Sequence, residues 1–227
     1  MLGLSLSSTN LFVYFVRAMV VLTTLPLHEY AHAWAAYRLG DDTAAVRGRM
    51  TLNPFVHLDP VGTLMIILAG FGWAKPVPVN PTRFRGDMRK GMAITGLAGP
   101  AANILLALVT LSLYKFLSVI AYVLVPALSK VLQVPINIFS IMTWVNISLA
   151  VFNLLPFPPL DGWKIAGALL PDRTYWKIAA YERQFAMALM VLVLMGLVSP
   201  IISALAGPVY SLLDYSTNWI LWLFGVG

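Results

Sequence analysis

Apolar residues run through this chain in long blocks, broken by short polar and often basic segments. Several blocks approach or exceed ~18 residues, the length needed to cross a bilayer as a helix. The first predicted helix begins near Ser8-Thr9-Asn10, which offer N-cap oxygens, and runs to Leu39-Gly40, where glycine suits a C-cap. Residues 41–59 are polar and β-leaning, which predicts a short interfacial hairpin. Asp59-Pro60 then reads as N-cap and first position of a helix over Val61–Phe71. That helix is too short to cross ~30 Å of hydrocarbon. Its flanks are both basic, with Arg47 and Arg49 before it and Lys75, Arg83, Arg85, Arg89 and Lys90 after it. It is therefore expected to dip into the membrane and return.

Gly72–Pro81 carries alternating prolines, which suit an extended edge and exclude a central strand. It reads either as a rigid interfacial loop, the favoured reading, or as an edge that pairs with an unwound peptide. Further spans are predicted at Met92–Val125, Ile136–Leu155, Phe185–Val198 and Ile201–Phe224. The first of these carries Gly96, Ala98, Gly99, Ala101 and Ala102, a small-residue surface for close helix approach. The expected fold is an all-α polytopic membrane protein of about five transmembrane helices plus one re-entrant helix, with short interfacial β-hairpin or extended segments. Residues 1–227 read as a single membrane-embedded domain, with a core over about 18–170 and C-terminal helices over 182–225.

Composition strengthens this reading. The chain is 59% hydrophobic and 11% charged, with a mean hydropathy of +0.81, whereas soluble domains carry about a quarter charged residues. The net charge of +6 does not point to nucleic acid, because the basic residues sit in loops between apolar blocks. Taking those loops as cytoplasmic places the N-terminus outside and the C-terminus inside. No positive n-region or A-x-A-like site precedes the first block, which is expected to stay in the mature protein. With no cysteine, any metal site must be built from histidine and carboxylates.

The apolar run around residues 25–34 contains His28-Glu29-x-x-His32. Residues four apart on a helix share a face, so two imidazoles can bind one tetrahedral Zn²⁺ while the glutamate takes a proton from an activated water. Arg17 lies eleven positions before His28 and Arg38 ten after it, each ~15 Å away along the axis. If both arginines snorkel to opposite interfaces, His28 lies at mid-membrane and His32 nearer the Arg38 side. Pro26 reads either as a packing kink or as a means of freeing the Leu22 carbonyl.

A catalytic zinc generally keeps a third protein ligand. Asp41, Asp42 and Asp87 are expected in exposed loops, Asp59 in a cap, and Asp172 and Glu182 in salt bridges. Asp214 is expected to make an interhelical hydrogen bond. Asp161 is the best candidate, because the helix that precedes it descends to the level of His32.

Asn153-x-x-Pro156-x-x-x-Leu160-Asp161-Gly162 together with His28-Glu29-x-x-His32 resembles the site-2 protease family of intramembrane zinc metalloproteases, peptidase family M50. Asn53–Thr63, Gly72–Pro78 and Gly96–Asn103 resemble its compact prokaryotic subgroup, which has no PDZ or CBS domains. The likeness covers about residues 20–170. It implies one Zn²⁺ per chain on His28, His32 and Asp161, with Glu29 as general base. It also suggests that Asn153 orients substrate or stabilises the oxyanion; a helix-terminus hydrogen bond is the equally weighted alternative. Trp73, Lys75, Pro76, Val77, Pro78 and His57 are candidate substrate contacts, although a histidine bonded to backbone is the plainer reading of His57. Asn103 is expected to be a helix–helix contact. The implied function is cleavage of transmembrane protein substrates in a prokaryotic plasma membrane. A metal-binding membrane transporter and a catalytically inactive scaffold are the alternatives.

Overall fold

The computed structural model describes residues 8–69 and 72–226. Helices dominate: α1 (Ser8–Arg38), α2 (Thr43–Val46), α3 (Pro60–Ala69), α4 (Met88–Val119), α5 (Ser129–Leu154), α6 (Asp161–Leu169), α7 (Asp172–Ala179), α8 (Glu182–Leu194), α9 (Ser199–Thr217) and α10 (Trp219–Leu223). A π turn over Ile120–Leu124 extends α4. Among the described residues, three helical stretches are long and apolar enough to cross a membrane, at Leu11–Arg38, Met88–Leu124 and Pro126–Leu154. α8 and the α9–α10 stretch pass that test only together, and they are bent by 85°. At ~1.5 Å per residue, the 13 residues of α8 reach ~20 Å, so a separate crossing by α8 requires its flanking residues or a locally thinned bilayer.

α4 is the central element and packs against α1, α5 and α6. An apolar core of Ala107, Leu111, Ile147, Val151, Ala206 and Leu213 joins α4 to α5 and α9. Polar side chains inside the bundle bond to one another. Thr110 meets Thr143 at 2.9 Å, and Asn146 donates to Thr24 at 3.3 Å. Lys115, buried in the middle of an apolar run, donates to the Asp214 carboxylate at 2.9 Å and to the Asn218 amide oxygen at 2.6 Å. Asp214 thus joins helices, as expected, but through an ion pair with a lysine whose burial was not foreseen.

α1 ends as expected. Gly40 has φ +110°, and Asp41 N–H reaches back to the Ala36 carbonyl at 2.9 Å, a glycine-terminated helix end. Asp59 caps α3 by accepting from Gly62 N–H at 2.8 Å; the expected end of that helix at Phe71 lies outside the described residues. The predicted hairpin over 41–59 is not formed, and no strand occurs among the described residues. This stretch instead holds α2 and a 3₁₀ turn at Pro54–Val56, which is started by the Asn53 side chain and a proline. Local capping chemistry prevails there over a weak β pattern.

Arg17 does not snorkel away from the protein. Its guanidinium donates to the Ile67 and Leu68 carbonyls at 3.0 Å each, capping the last turn of α3. The extended segment 72–80 turns back along α3. At the contact between them a Cβ on Gly62 would lie 2.1 Å from the Trp73 carbonyl oxygen, and one on Gly72 2.1 Å from the Gly62 oxygen. Only glycine permits that backbone approach.

Asp41, expected in an exposed loop, is buried. It accepts from Thr43 N–H at 3.0 Å and Asn80 N–H at 2.6 Å, and also from the Thr43 hydroxyl. Burial pushes its carboxyl upward, but these hydrogen bonds and the Arg83 charge hold it below the ordinary value. A carboxyl lowered on folding stabilises the protein above its unfolded-state value of ~3.9, and that contribution fades as the pH falls through it toward the folded value. Asp41→Ala is therefore expected to lower stability at neutral pH by roughly 2–3 kcal/mol. Thermal unfolding in detergent should show the gap between the two proteins narrowing from about pH 5 to about pH 3.

Candidate metal centre

The His28–His32 spacing works as the helical period requires. α1 continues through Pro26, and both imidazoles project from one face toward α4 and the start of α6. Asp161 is the first residue of α6, after the Leu155–Leu160 turn that follows α5. Its Oδ2 lies 3.2 Å from His28 Nε2 and 3.1 Å from His32 Nε2, and the two nitrogens are 3.0 Å apart. All three side chains are buried, and among the described residues they form a group able to hold a metal ion. Ligands ~2.0–2.1 Å from a tetrahedral Zn²⁺ sit ~3.3 Å from one another, so the spacing is close to that of a zinc site.

The neighbours of the three side chains orient them. His32 Nδ1 lies 2.6 Å from the Thr95 carbonyl oxygen; a proton on Nδ1 makes that bond and leaves the Nε2 lone pair facing the cluster. Lys164, one turn along α6, donates to Asp161 Oδ1 at 2.8 Å and leaves Oδ2 for the histidines. Gly99 of α4 faces the rings directly. A Cβ there would lie 2.4 Å from His32 Nε2 and 2.6 Å from His28 Cε1. The small-residue surface expected on α4 thus has a specific task beyond helix packing. Thr95 and Lys164 were missed, because a backbone carbonyl has no sequence signature and an interfacial lysine resembles any other.

Glu29 is buried next to His28, and its Oε2 accepts from Val77 N–H at 2.8 Å. Asn153, in the last turn of α5, donates to its own Leu149 carbonyl at 3.0 Å, the helix-terminus bond. Val77 is buried against Ala33 and Ala44, whereas Trp73, Lys75 and Pro76 are exposed and Pro78 is half-buried. Lys75 N–H bonds to the His57 carbonyl at 2.8 Å, and Arg49 donates to the Lys75 carbonyl at 2.7 Å. His57 itself is wholly buried, with Nε2 2.8 Å from the Thr51 carbonyl oxygen. Fully buried, it offers no exposed surface to a substrate, and its Nε2 is held by that backbone carbonyl.

Two histidines and a carboxylate converging beside a second carboxylate, inside apolar helices, define a membrane-embedded metallohydrolase. Comparison with known proteins agrees. Residues 14–197 match the model of "Peptidase family M50", and the chain belongs to that family. It is 42% identical to "Putative zinc metalloprotease YwhC" of Bacillus subtilis over 173 residues, 76% of each chain. It is 31% identical to "Putative zinc metalloprotease Rip2" of Mycobacterium tuberculosis H37Rv over 201 residues, 86% of this chain and 71% of the relative. The Rip2 of Mycolicibacterium smegmatis is 34% identical over 155 residues, 66% of this chain and 54% of the relative. No solved structure matches at a significant level.

Gly99→Ala is expected to displace one imidazole and abolish stoichiometric zinc binding while leaving helix content unchanged, since alanine favours helix by about 1 kcal/mol over glycine. Metal analysis alongside circular dichroism checks both halves.

Proposed function

We infer that this chain is an intramembrane zinc endopeptidase that hydrolyses peptide bonds within or near transmembrane segments of membrane proteins. The convergence of His28 Nε2, His32 Nε2 and Asp161 Oδ2 beside Glu29 carries this reading. Those three groups would hold the ion. When bound, zinc supplies Lewis acidity, polarising the scissile carbonyl and lowering the pKa of water. Glu29 takes the proton of the attacking water and returns it to the leaving amine. The Val77 N–H keeps Oε2 of that carboxylate in place, so the base is oriented before substrate arrives. Asn153 has a second amide hydrogen and a carbonyl left to orient the substrate backbone. Because a helical substrate hides its carbonyls in hydrogen bonds, it must unwind to reach a buried centre. The exposed Trp73, Lys75, Pro76 and neighbouring Pro78 flank that approach.

The same reading carries a topology. α3 and the returning 72–80 segment form a re-entrant element, and the basic loops on either side of it face the cytoplasm. The N-terminus is then outside, in the plasma membrane of a prokaryotic cell. α8 and α9–α10 cross separately and bring the C-terminus to the cytoplasm. A compartment-specific reporter fused to the C-terminus should be active in the cytoplasm; an external signal would make 182–223 one bent crossing.

A transporter would require ionisable groups forming a path across several helices. The other ionic contact inside the bundle, Lys115 with Asp214, pairs one buried cation with one partly exposed carboxylate and forms no chain of ionisable groups across the helices. Purified protein tests the enzymatic reading. Wild type should hold one zinc and cleave a transmembrane model substrate. Glu29→Gln should keep the zinc and lose at least roughly a hundredfold in cleavage rate. Asp161→Ala should stay folded and lose zinc. Equal cleavage by wild type and Glu29→Gln, or a wild type without zinc, overturns it.

A further inference from the structure

His32 has an acceptor for its outer ring nitrogen, the Thr95 carbonyl. His28 Nδ1 has none and is buried. On α4, Asn103 is 1% exposed, and both its amide nitrogen and its amide oxygen are buried without a partner. Buried polar atoms seldom go unsatisfied, because water's hydrogen bonds have been given up for nothing. Thr95, Gly99 and Asn103 are four residues apart and form one stripe on α4. The middle member faces the rings: a Cβ on Gly99 would lie 2.6 Å from His28 Cε1, the carbon bonded to Nδ1. Helical side chains lean toward the helix N-terminus, so the Asn103 carboxamide leans back toward the turn of Gly99. His28 thus carries an orphaned ring nitrogen on the ring that Gly99 faces, and Asn103 carries an orphaned amide one helical turn from that glycine.

We propose that Asn103 is a positioning residue of the metal centre, accepting from His28 Nδ1–H as the Thr95 carbonyl accepts from His32. The contact is made directly in the loaded centre or through one bridging water. It rests on the reading of His28 as a zinc ligand. A histidine that coordinates through Nε2 must carry its proton on Nδ1, and an acceptor there fixes the tautomer, holds the ring plane and raises the basicity of Nε2. α4 then supports both ligand histidines from one stripe, with a backbone carbonyl at one end, a side-chain carbonyl at the other and a glycine between.

Two near-isosteric variants separate this role from plain helix packing. Asn103→Leu removes the acceptor, and Asn103→Asp strengthens it. The proposal expects zinc affinity, measured by competition with a chromophoric chelator, to fall roughly 10–100-fold in Asn103→Leu. In Asn103→Asp it should equal or exceed that of wild type. The visible spectrum of the cobalt-loaded protein should change in the leucine variant and persist in the aspartate variant. A packing role predicts the reverse: leucine tolerated, and aspartate unfolding the metal-free protein through a buried unpaired charge. Wild-type affinity in Asn103→Leu, or loss of zinc or of folding in Asn103→Asp, overturns the proposal. Absence of zinc from wild type would instead refute the ligand assignment of His28.

Discussion

The Asp161 carboxylate, shared between two imidazole nitrogens at 3.1 and 3.2 Å, is the contact on which the arrangement depends. Removing a carboxylate from water costs several kcal/mol unless it is paired and hydrogen-bonded. Here one oxygen is given to the histidines and the other to Lys164. That pairing ties the start of α6 to the middle of α1 across 129 residues of chain. α4 must then fit between them without a side chain in the way, which is the role of Gly99. Replacing any one of these groups leaves the others buried without compensation.

A second set of contacts serves the same centre from the other side. Glu29, Asp41 and Arg17 each bond to backbone groups of α3 or of the segment that follows it: Val77 N–H, Asn80 N–H and the last carbonyls of α3. Pro76 and Pro78 remove two N–H groups from segment 72–80, and carboxylates on and just after α1 accept from two of those that remain, Val77 and Asn80. The segment is thereby a rigid flank to Glu29. A side chain fixed in this way has little conformational freedom left to lose, which is the usual gain from preorganisation.

Away from the centre several polar side chains of the bundle pair across helices, which lowers the cost of placing them in lipid. Thr110 with Thr143, and Lys115 with Asp214 and Asn218, join α4 to α5 and to the C-terminal helices. The C-terminal unit is thus attached to the same helix that carries the histidine supports.

The sequence by itself determined which side chains could meet at one point. His28 and His32 share a face by the helical period alone, and Asp161 stood out because few acidic residues exist in an apolar chain. Long apolar blocks were likewise enough for α1, α4 and α5, since helix formation in lipid is dictated by backbone hydrogen bonding. Only the tertiary structure decided what crosses between elements. It replaced a hairpin at 41–59 with helical turns, buried Asp41 and Lys115, turned Arg17 onto α3, bent the C-terminal helices by 85° and put Gly99 against the rings. Those outcomes depend on which carbonyl, N–H or Cβ vacancy lies opposite a residue in space. A linear pattern does not encode that, because the partner lies tens of residues away and is often backbone, which is the same at every position.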